Sequence, residues 1–330
     1  MLQRIAYGSL VIAFLIALMA GDSYISAHAD RLPFASDLLR RGSVLPPITI
    51  ALSVVAALEV IGLFRRAGFN PHRLWATVVA AFLTASPWLC AGGLLGAWPA
   101  GDEALRWQLI WLFVAVVGTA VLQITRRDTR SALGDVSATL VTIIYAGFLP
   151  SFILLLRCDT GYPGEVGPWL ILMYLAVTKS SDTGAYFVGS WVGRRKLIPW
   201  VSPGKSVEGM LGGIATSVAV MVAILAACTW GYAAATEQAT TGGTVTSPHL
   251  LSVVSQIRYA LEGITPAQAV VFAILMSAIG QIGDLFESLF KRSAGAKDSA
   301  RFLPGFGGVL DMVDSVYLTA PAAWLLLTWR

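Results

Sequence analysis

The chain has 330 residues, 56% of them hydrophobic and only 13% charged, with a mean hydropathy of +0.71 and a formal charge of +4. A soluble domain carries roughly twice that charged share, and the positive residues are spread through short loops rather than gathered in a patch, so a soluble enzyme and a nucleic-acid binder are both excluded. Cys90, Cys158 and Cys228 follow neither a metal-ligand nor a paired spacing.

Long apolar runs recur along the whole chain, which predicts an all-α polytopic membrane protein forming one integral membrane domain over 1–330. A barrel would show short alternating segments instead. Nine spans are expected, at about 5–21, 44–64, 74–96, 107–124, 131–156, 168–193, 208–234, 267–290 and 308–329. The first resembles a signal peptide in having Arg4, an apolar stretch and "LMAG", but it is long enough to span. Residues 1–160 read as a scaffold of helices, and 168–330 carry the chemistry-bearing residues.

Loop charges set the orientation. The loops after even spans hold fourteen cations: Arg65, Arg66, Arg73, Arg126, Arg127, Arg130, Arg194, Arg195, Lys196, Lys205, Lys291, Arg292, Lys297 and Arg301. The loops after odd spans hold six: Arg31, Arg40, Arg41, Arg106, Arg157 and Arg258. The expectation is an amino terminus inside, a carboxyl terminus outside and a place in the inner, cytoplasmic membrane of a cell. The polar stretch 235–266, with "TEQATTGGTVTSPH", reads as a flexible outer loop, and no internal repeat is visible.

Ionisable residues inside spans are costly and point to function. Glu59 lies toward the cytoplasmic end of span 2, where it suits snorkelling or pairing with an arginine. Lys179 and Asp182 lie within span 6 at i,i+3, a spacing that also suits mutual neutralisation. The following stretch, "GRRKLIPWVSPGKSVEGMLGG" over 193–213, reads as a basic loop and a helix start. Gly189 and Gly193 have the G-x-x-x-G spacing of helix packing. A P-loop is excluded, because the residue five before Gly204 is Pro199.

Asp284 and Glu287 lie near the end of span 8, and Asp311 and Asp314 open span 9. Alone, the second pair suits the solvated first turn of a helix, where acids favour the dipole. Spans 8 and 9 form a hairpin, however, so Asp284 and Asp314 come to similar depth beside a lysine/arginine loop. Mg²⁺ takes carboxylates together with substrate phosphates and water. Asp284, Asp311 and Asp314 are therefore the candidate metal ligands, with the cations of 291–301 suited to phosphate oxygens. The glycines of "PGFGG", including Gly307 and Gly308, free backbone amides to approach an anion.

At these residues the sequence resembles the phosphatidate cytidylyltransferase (CDP-diacylglycerol synthase) family. The signature S-x-x-K-R-x4-K-D, then P-G-H-G-G and L-D-R-x-D, stands here as "SLFKRSAGAKDSARFLPGFGGVLDMVD", 288–314. A second stretch, D-x-x-A-Y-x-x-G ahead of S-P-x-K-[TS]-x-E-G, stands as "DTGAYFVG" from Asp182 and "SPGKSVEG" from Ser202. The resemblance covers spans 6–9; the first five spans match in hydropathy and count.

The resemblance implies transfer of a cytidylyl group from CTP to phosphatidic acid of the inner leaflet, giving CDP-diacylglycerol and pyrophosphate. It implies Mg²⁺, as one ion, two, or one with a monovalent cation, on acids corresponding to Asp284, Asp311 and Asp314. Lys291 and Asp298 are expected in the catalytic set, with Asp298 orienting a cation or binding metal. Lys205, Ser206, Arg292, Lys297, Asp182, Gly307 and Gly308 are expected around the substrates, and a homodimer is kept among the partners. The family histidine is Phe306 here and its arginine is Met312, with Arg301 the nearby replacement cation in sequence. The other readings are a cytidylyltransferase or CTP-dependent kinase acting on another lipid, and a cation-coupled transporter; transport predicts acids near the bilayer midplane, whereas these cluster at one face.

Overall fold

The computed structural model of the protein describes residues 2–31, 37–95, 103–158, 165–240, 248–262, 264–300 and 307–328. Its helices are α1 (Leu2–Ala27), α2 (Asp37–Arg40), α3 (Leu45–Arg66), α4 (Arg73–Ala91), α5 (Glu103–Arg126), α6 (Ala132–Ile143), α7 (Leu149–Cys158), α8 (Gly167–Val192), α9 (Val207–Thr240), α10 (Pro248–Leu261), α11 (Pro266–Ser293) and α12 (Leu310–Thr328). A hairpin of β1 (Lys196–Ile198) and β2 (Ser202–Ser206) joins α8 to α9.

Among the described residues, seven helical stretches are long and apolar enough to cross a membrane: α3, α4, most of α5, the continuous Ala132–Cys158, the first 24 residues of α9, α11 and α12. The chain is thus a helical polytopic membrane protein. α1 and α8 occupy the other two expected segments; α8 carries the polar run from Lys179 to Thr183 that lowers its hydropathy.

Two expectations about loops are corrected. The stretch 235–266 is largely helical: α9 continues to Thr240 and α10 follows, while 241–247 and 263 lie outside the described residues. Val254, Ile257 and Leu261 recur at helical spacing, which supplies α10 with an apolar stripe. The stretch after α8 is a β-hairpin rather than a basic loop, with Lys196 opposite Ser206 and Ile198 opposite Ser202.

Backbone polar groups inside a bilayer must find partners within the protein, and the joint between α6 and α7 shows how. Pro150 has no N–H to offer the carbonyl of Ala146, and Ile144–Phe148 relaxes into a π-turn. Ser53 of α3 donates to the freed Ala146 carbonyl at 2.5 Å, and Thr84 of α4 donates to Gly147 O at 3.1 Å. Three helices are thereby locked at one polar point in an apolar core.

The main core gathers Val60 of α3, Leu154–Leu156 of α7, Leu170 and Tyr174 of α8, Met276 of α11 and Tyr317 of α12, all buried. α5 stands at the periphery, with Phe113, Val121 and Ile124 exposed as a lipid-facing side chain row should be. α8 and α9 pack along glycines: a Cβ on Gly209 would lie 2.8 Å from the Ala185 carbonyl oxygen, so only glycine allows this approach.

At one end of the bundle Arg157 is corrected from loop to core. Its side chain is fully buried and donates from Nε to Asp22 Oδ2 at 2.7 Å and from Nη2 to Ser26 Oγ at 2.6 Å. The other Asp22 oxygen accepts from the amides of Ser43, Val44 and Leu45 at 2.9, 2.8 and 3.2 Å, capping α3. The opposite end, where α8, α11 and α3 finish and α9 and α12 begin, carries the acids.

Candidate active site

α11 supplies Asp284, Glu287 and Lys291 at i, i+3 and i+7, one face of the helix. That face meets the first turns of α12, where Asp314 lies. Ligand atoms of Asp284, Glu287 and Asp314 all come within 4.8 Å of one another. Each acid faces a lysine from a different element. Lys205 Nζ of β2 stands 2.7 Å from Asp284, Lys291 Nζ 2.5 Å from Glu287, and Lys179 Nζ of α8 3.6 Å from Asp314.

Glu287 is fully buried. A buried carboxylate is costly, and the Lys291 ammonium is its ion-pair partner among the described residues. The donor set is all oxygen, the preference of a hard cation. The observed residues therefore fit a divalent ion such as Mg²⁺.

Asp311, expected beside Asp284 and Asp314, is outside that group of three. Its Oδ1 accepts from Lys291 at 2.6 Å. Its Oδ2 accepts from the amides of Gly308 at 2.7 Å and Ser299 at 3.1 Å, with Ser299 Oγ at 2.8 Å. The physical reason is position: in the first turn, Asp311 folds back to meet the orphan amides at the helix start. Gly307, at φ +82°, leaves the room this needs, since a Cβ there would stand 2.5 Å from Asp311 Oδ2.

The amides expected to face a ligand anion are likewise turned inward. Glu59 of α3 accepts from Val309 N at 2.9 Å and Leu310 N at 2.8 Å, and Ser299 Oγ lies 2.8 Å from it. Among the described residues Glu59 neither snorkels nor pairs with an arginine; it caps α12 from another helix. Lys179 likewise has more than the expected local partner. It reaches Asp182 at 3.3 Å and donates to Ser315 Oγ of α12 at 2.7 Å.

Beside the acids lies a cavity of about 390 Å³, lined by Asp182, Ser202, Lys205, Ser206, Gln281 and Asp284 among others. Ser206 Oγ caps α9 by accepting from Gly209 N at 3.1 Å. Glu208 accepts from the Arg194 and Arg195 amides at 3.0 and 3.1 Å, fastening the start of the hairpin. Arg292 donates from Nε to Val201 O at 3.1 Å, fastening its turn to α11. Lys205 is thereby held over the cavity by the hairpin's own anchors.

Lys297 and Asp298 are exposed and make no ion pair among the described residues. Arg301 and Phe306 lie outside the described residues, and Met312 is half-buried in the first turn of α12. Sequence reasoning gave Glu287 and Glu59 no place in the site. The i,i+3 spacing from Asp284 was the available signal for Glu287, whereas Glu59 acts across 250 residues of chain, beyond any spacing rule.

The relatives that the chain resembles include the following three proteins. An uncharacterized protein, YnbB, of Escherichia coli (strain K12) is 32% identical over 227 residues, 67% of this chain and 64% of that protein. A phosphatidate cytidylyltransferase of Brucella suis biovar 1 (strain 1330) is 37% identical over 224 residues, 67% of this chain and 66% of that protein. One of Mycobacterium tuberculosis (strain ATCC 25618 / H37Rv) is 28% identical over 318 residues, 87% of this chain and 82% of that protein. The match spans just under two thirds of the first two relatives' own length. The sequence profile of the Cytidylyltransferase family matches residues 35–329, nearly the whole chain, so the protein belongs to the Cytidylyltransferase family.

Proposed function

We propose that the protein transfers the cytidylyl group of CTP to phosphatidic acid, giving CDP-diacylglycerol and pyrophosphate, with Mg²⁺ at the cytoplasmic face of the inner membrane. The observation that carries this is the trio Asp284, Glu287 and Asp314, each matched by its own lysine, at the edge of a polar cavity. The names of the Brucella and Mycobacterium relatives support the same reading. The nine-span topology with the amino terminus inside rests on the cation bias of the loops, which sharpens once Arg157 is counted as core.

In the reaction a phosphatidate oxygen bonds to the α-phosphorus of CTP while the bond to the β-phosphate oxygen breaks, releasing pyrophosphate. Bringing two anions together is the main barrier, so positioning and charge complementarity carry the catalysis. Asp284, Glu287 and Asp314 would hold Mg²⁺, which would supply charge neutralisation at the phosphates. Lys205 borders the cavity and meets a phosphate once released from Asp284. Lys291 is steered by Asp311 from the other side. Lys297 is placed in solvent to draw in the triphosphate, and Asp298 beside it to orient that cation. Ser206, Arg292, Gly307 and Gly308 act on the backbone that holds these groups, and Asp182 forms the α8 wall of the cavity.

The test is CTP turnover by detergent-purified protein with phosphatidic acid and Mg²⁺, alongside Asp314→Asn. Lipid-dependent CDP-diacylglycerol formation that is lost in the variant is expected. Folded protein that releases no pyrophosphate from CTP with this lipid would overturn the assignment of the acceptor.

A further inference from the structure

We infer that Lys179 is a resident cation of the acid site, occupying the place of a second metal ion between Asp182 and Asp314, so that the site takes a single divalent ion. Lys179 lies three residues ahead of the D-x-x-A-Y-x-x-G stretch and belongs to neither motif that carries the family resemblance. A charge this deep in a membrane helix is retained only with partners, and its partners come from both sides of a helix interface. On α8 it stands 3.3 Å from Asp182; on α12 it donates to Ser315 Oγ at 2.7 Å and stands 3.6 Å from Asp314.

Ser315 closes the arrangement by donating to Asp182 at 3.4 Å, while the Ser315 amide donates to Asp314 Oδ1 at 2.6 Å. The ammonium therefore sits in a ring of protein groups that fixes its place. The other two lysines are held differently. Lys205 faces Asp284 across the open cavity, and Lys291 is divided between Glu287 and Asp311.

Charge decides the consequence. Asp182, Asp284, Glu287 and Asp314 are four carboxylates at one helix junction, and Glu287 is fully buried with Lys291 as its close cation. One divalent ion among Asp284, Glu287 and Asp314 leaves Asp182 and the far side of Asp314 for another cation. Lys179 fills that side with a single charge that cannot dissociate. Without it, Asp182 and Asp314 face each other as an empty oxygen pair suited to a second ion.

This inference rests on the metal-assisted reading, and its test separates the two. Mn²⁺ alone, without nucleotide or lipid, is titrated into the full chain in detergent by calorimetry and by electron paramagnetic resonance of free Mn²⁺. The proteins are wild type, Lys179→Met, Lys179→Gln and Lys179→Arg, each checked for a retained melting transition. One ion per chain is expected for wild type and Lys179→Arg, and two for whichever neutral variant folds. The same count in wild type and a folded neutral variant would overturn the role of Lys179 alone. Two ions in wild type would overturn it as well. No binding by any of the four proteins would overturn the metal reading and this inference with it.

Discussion

Glu59 and Leu310 are 251 residues apart in sequence, yet the carboxylate of one accepts the backbone amide of the other at 2.8 Å. α3, far earlier in the chain, thus closes the start of α12, from which Asp311 and Asp314 project. A helix opens with amides that have no intrahelical partner, and here two of them are met by a buried acid from elsewhere in the bundle.

Glu59→Ala leaves those amides without their acceptor, at a cost of about 1–3 kcal/mol for unsatisfied buried donors. The expected result is a lower unfolding midpoint in detergent together with reduced turnover, since the first turn of α12 loosens. Glu59→Gln keeps one acceptor oxygen and should fall between the two. Unchanged midpoint and turnover in Glu59→Ala would show that α12 is capped without α3.

The Asp22–Arg157 pair makes the opposite end equally dependent on a distant contact. Asp22→Asn leaves a fully buried guanidinium without its counter-charge and is expected to destabilise by about 3–5 kcal/mol, as removing one partner of a buried pair does. The double variant Asp22→Leu with Arg157→Met is expected to recover part of that loss, because no charge is left stranded. Chemical unfolding of wild type, Asp22→Leu, Arg157→Met and the double variant in one detergent gives the coupling directly. Additive single effects would mean that the pair does not act as a pair.

The helices lie where the apolar runs lie, because a bilayer accepts long helices and the sequence must declare them. The approach of Asp284 to Asp314 was legible for a related reason: a short connection between two spans forces an antiparallel hairpin, and parity then fixes depth. Arg157 was illegible because it ends an apolar run just before polar residues, where a loop arginine and a buried one look alike. Glu287 resembled an ordinary i,i+4 partner of Lys291, and only burial distinguishes it. The hairpin at Lys196–Ser206 was hidden by Pro199 and Pro203, which read as loop, yet its anchors at Glu208 and Arg292 hold it as a defined wall.

Packing and chemistry meet at Gly209. A side chain there pushes against the Ala185 carbonyl and Ser206 Oγ, separating α8, which carries Asp182, from the hairpin that carries Lys205. Gly209→Val is expected to lower kcat/KM by on the order of 10²-fold, the usual effect of an ångström-scale misplacement. Gly209→Ala should show a smaller loss. Assays at saturating CTP and lipid separate this from weaker binding, and full activity in the valine variant would mean that the α8–α9 spacing is not critical.

Asp311 and Asp314 are three residues apart on one helix, but they have different partners, and their asparagine variants should differ accordingly. Asp314→Asn removes an oxygen from the trio that fits a divalent ion, so Mn²⁺ affinity is expected to fall by about 10-fold or more, with turnover falling further. Asp311→Asn removes the charge that anchors Lys291 and leaves one acceptor oxygen for Lys291 and Gly308 together, with Asp284, Glu287 and Asp314 in place. Its expected signature is near-normal Mn²⁺ affinity with reduced turnover. Titration of both variants with Mn²⁺ decides the matter before any substrate is added. Equal loss of affinity would place Asp311 among the metal ligands and require its carboxylate to turn away from Lys291 when the ion binds.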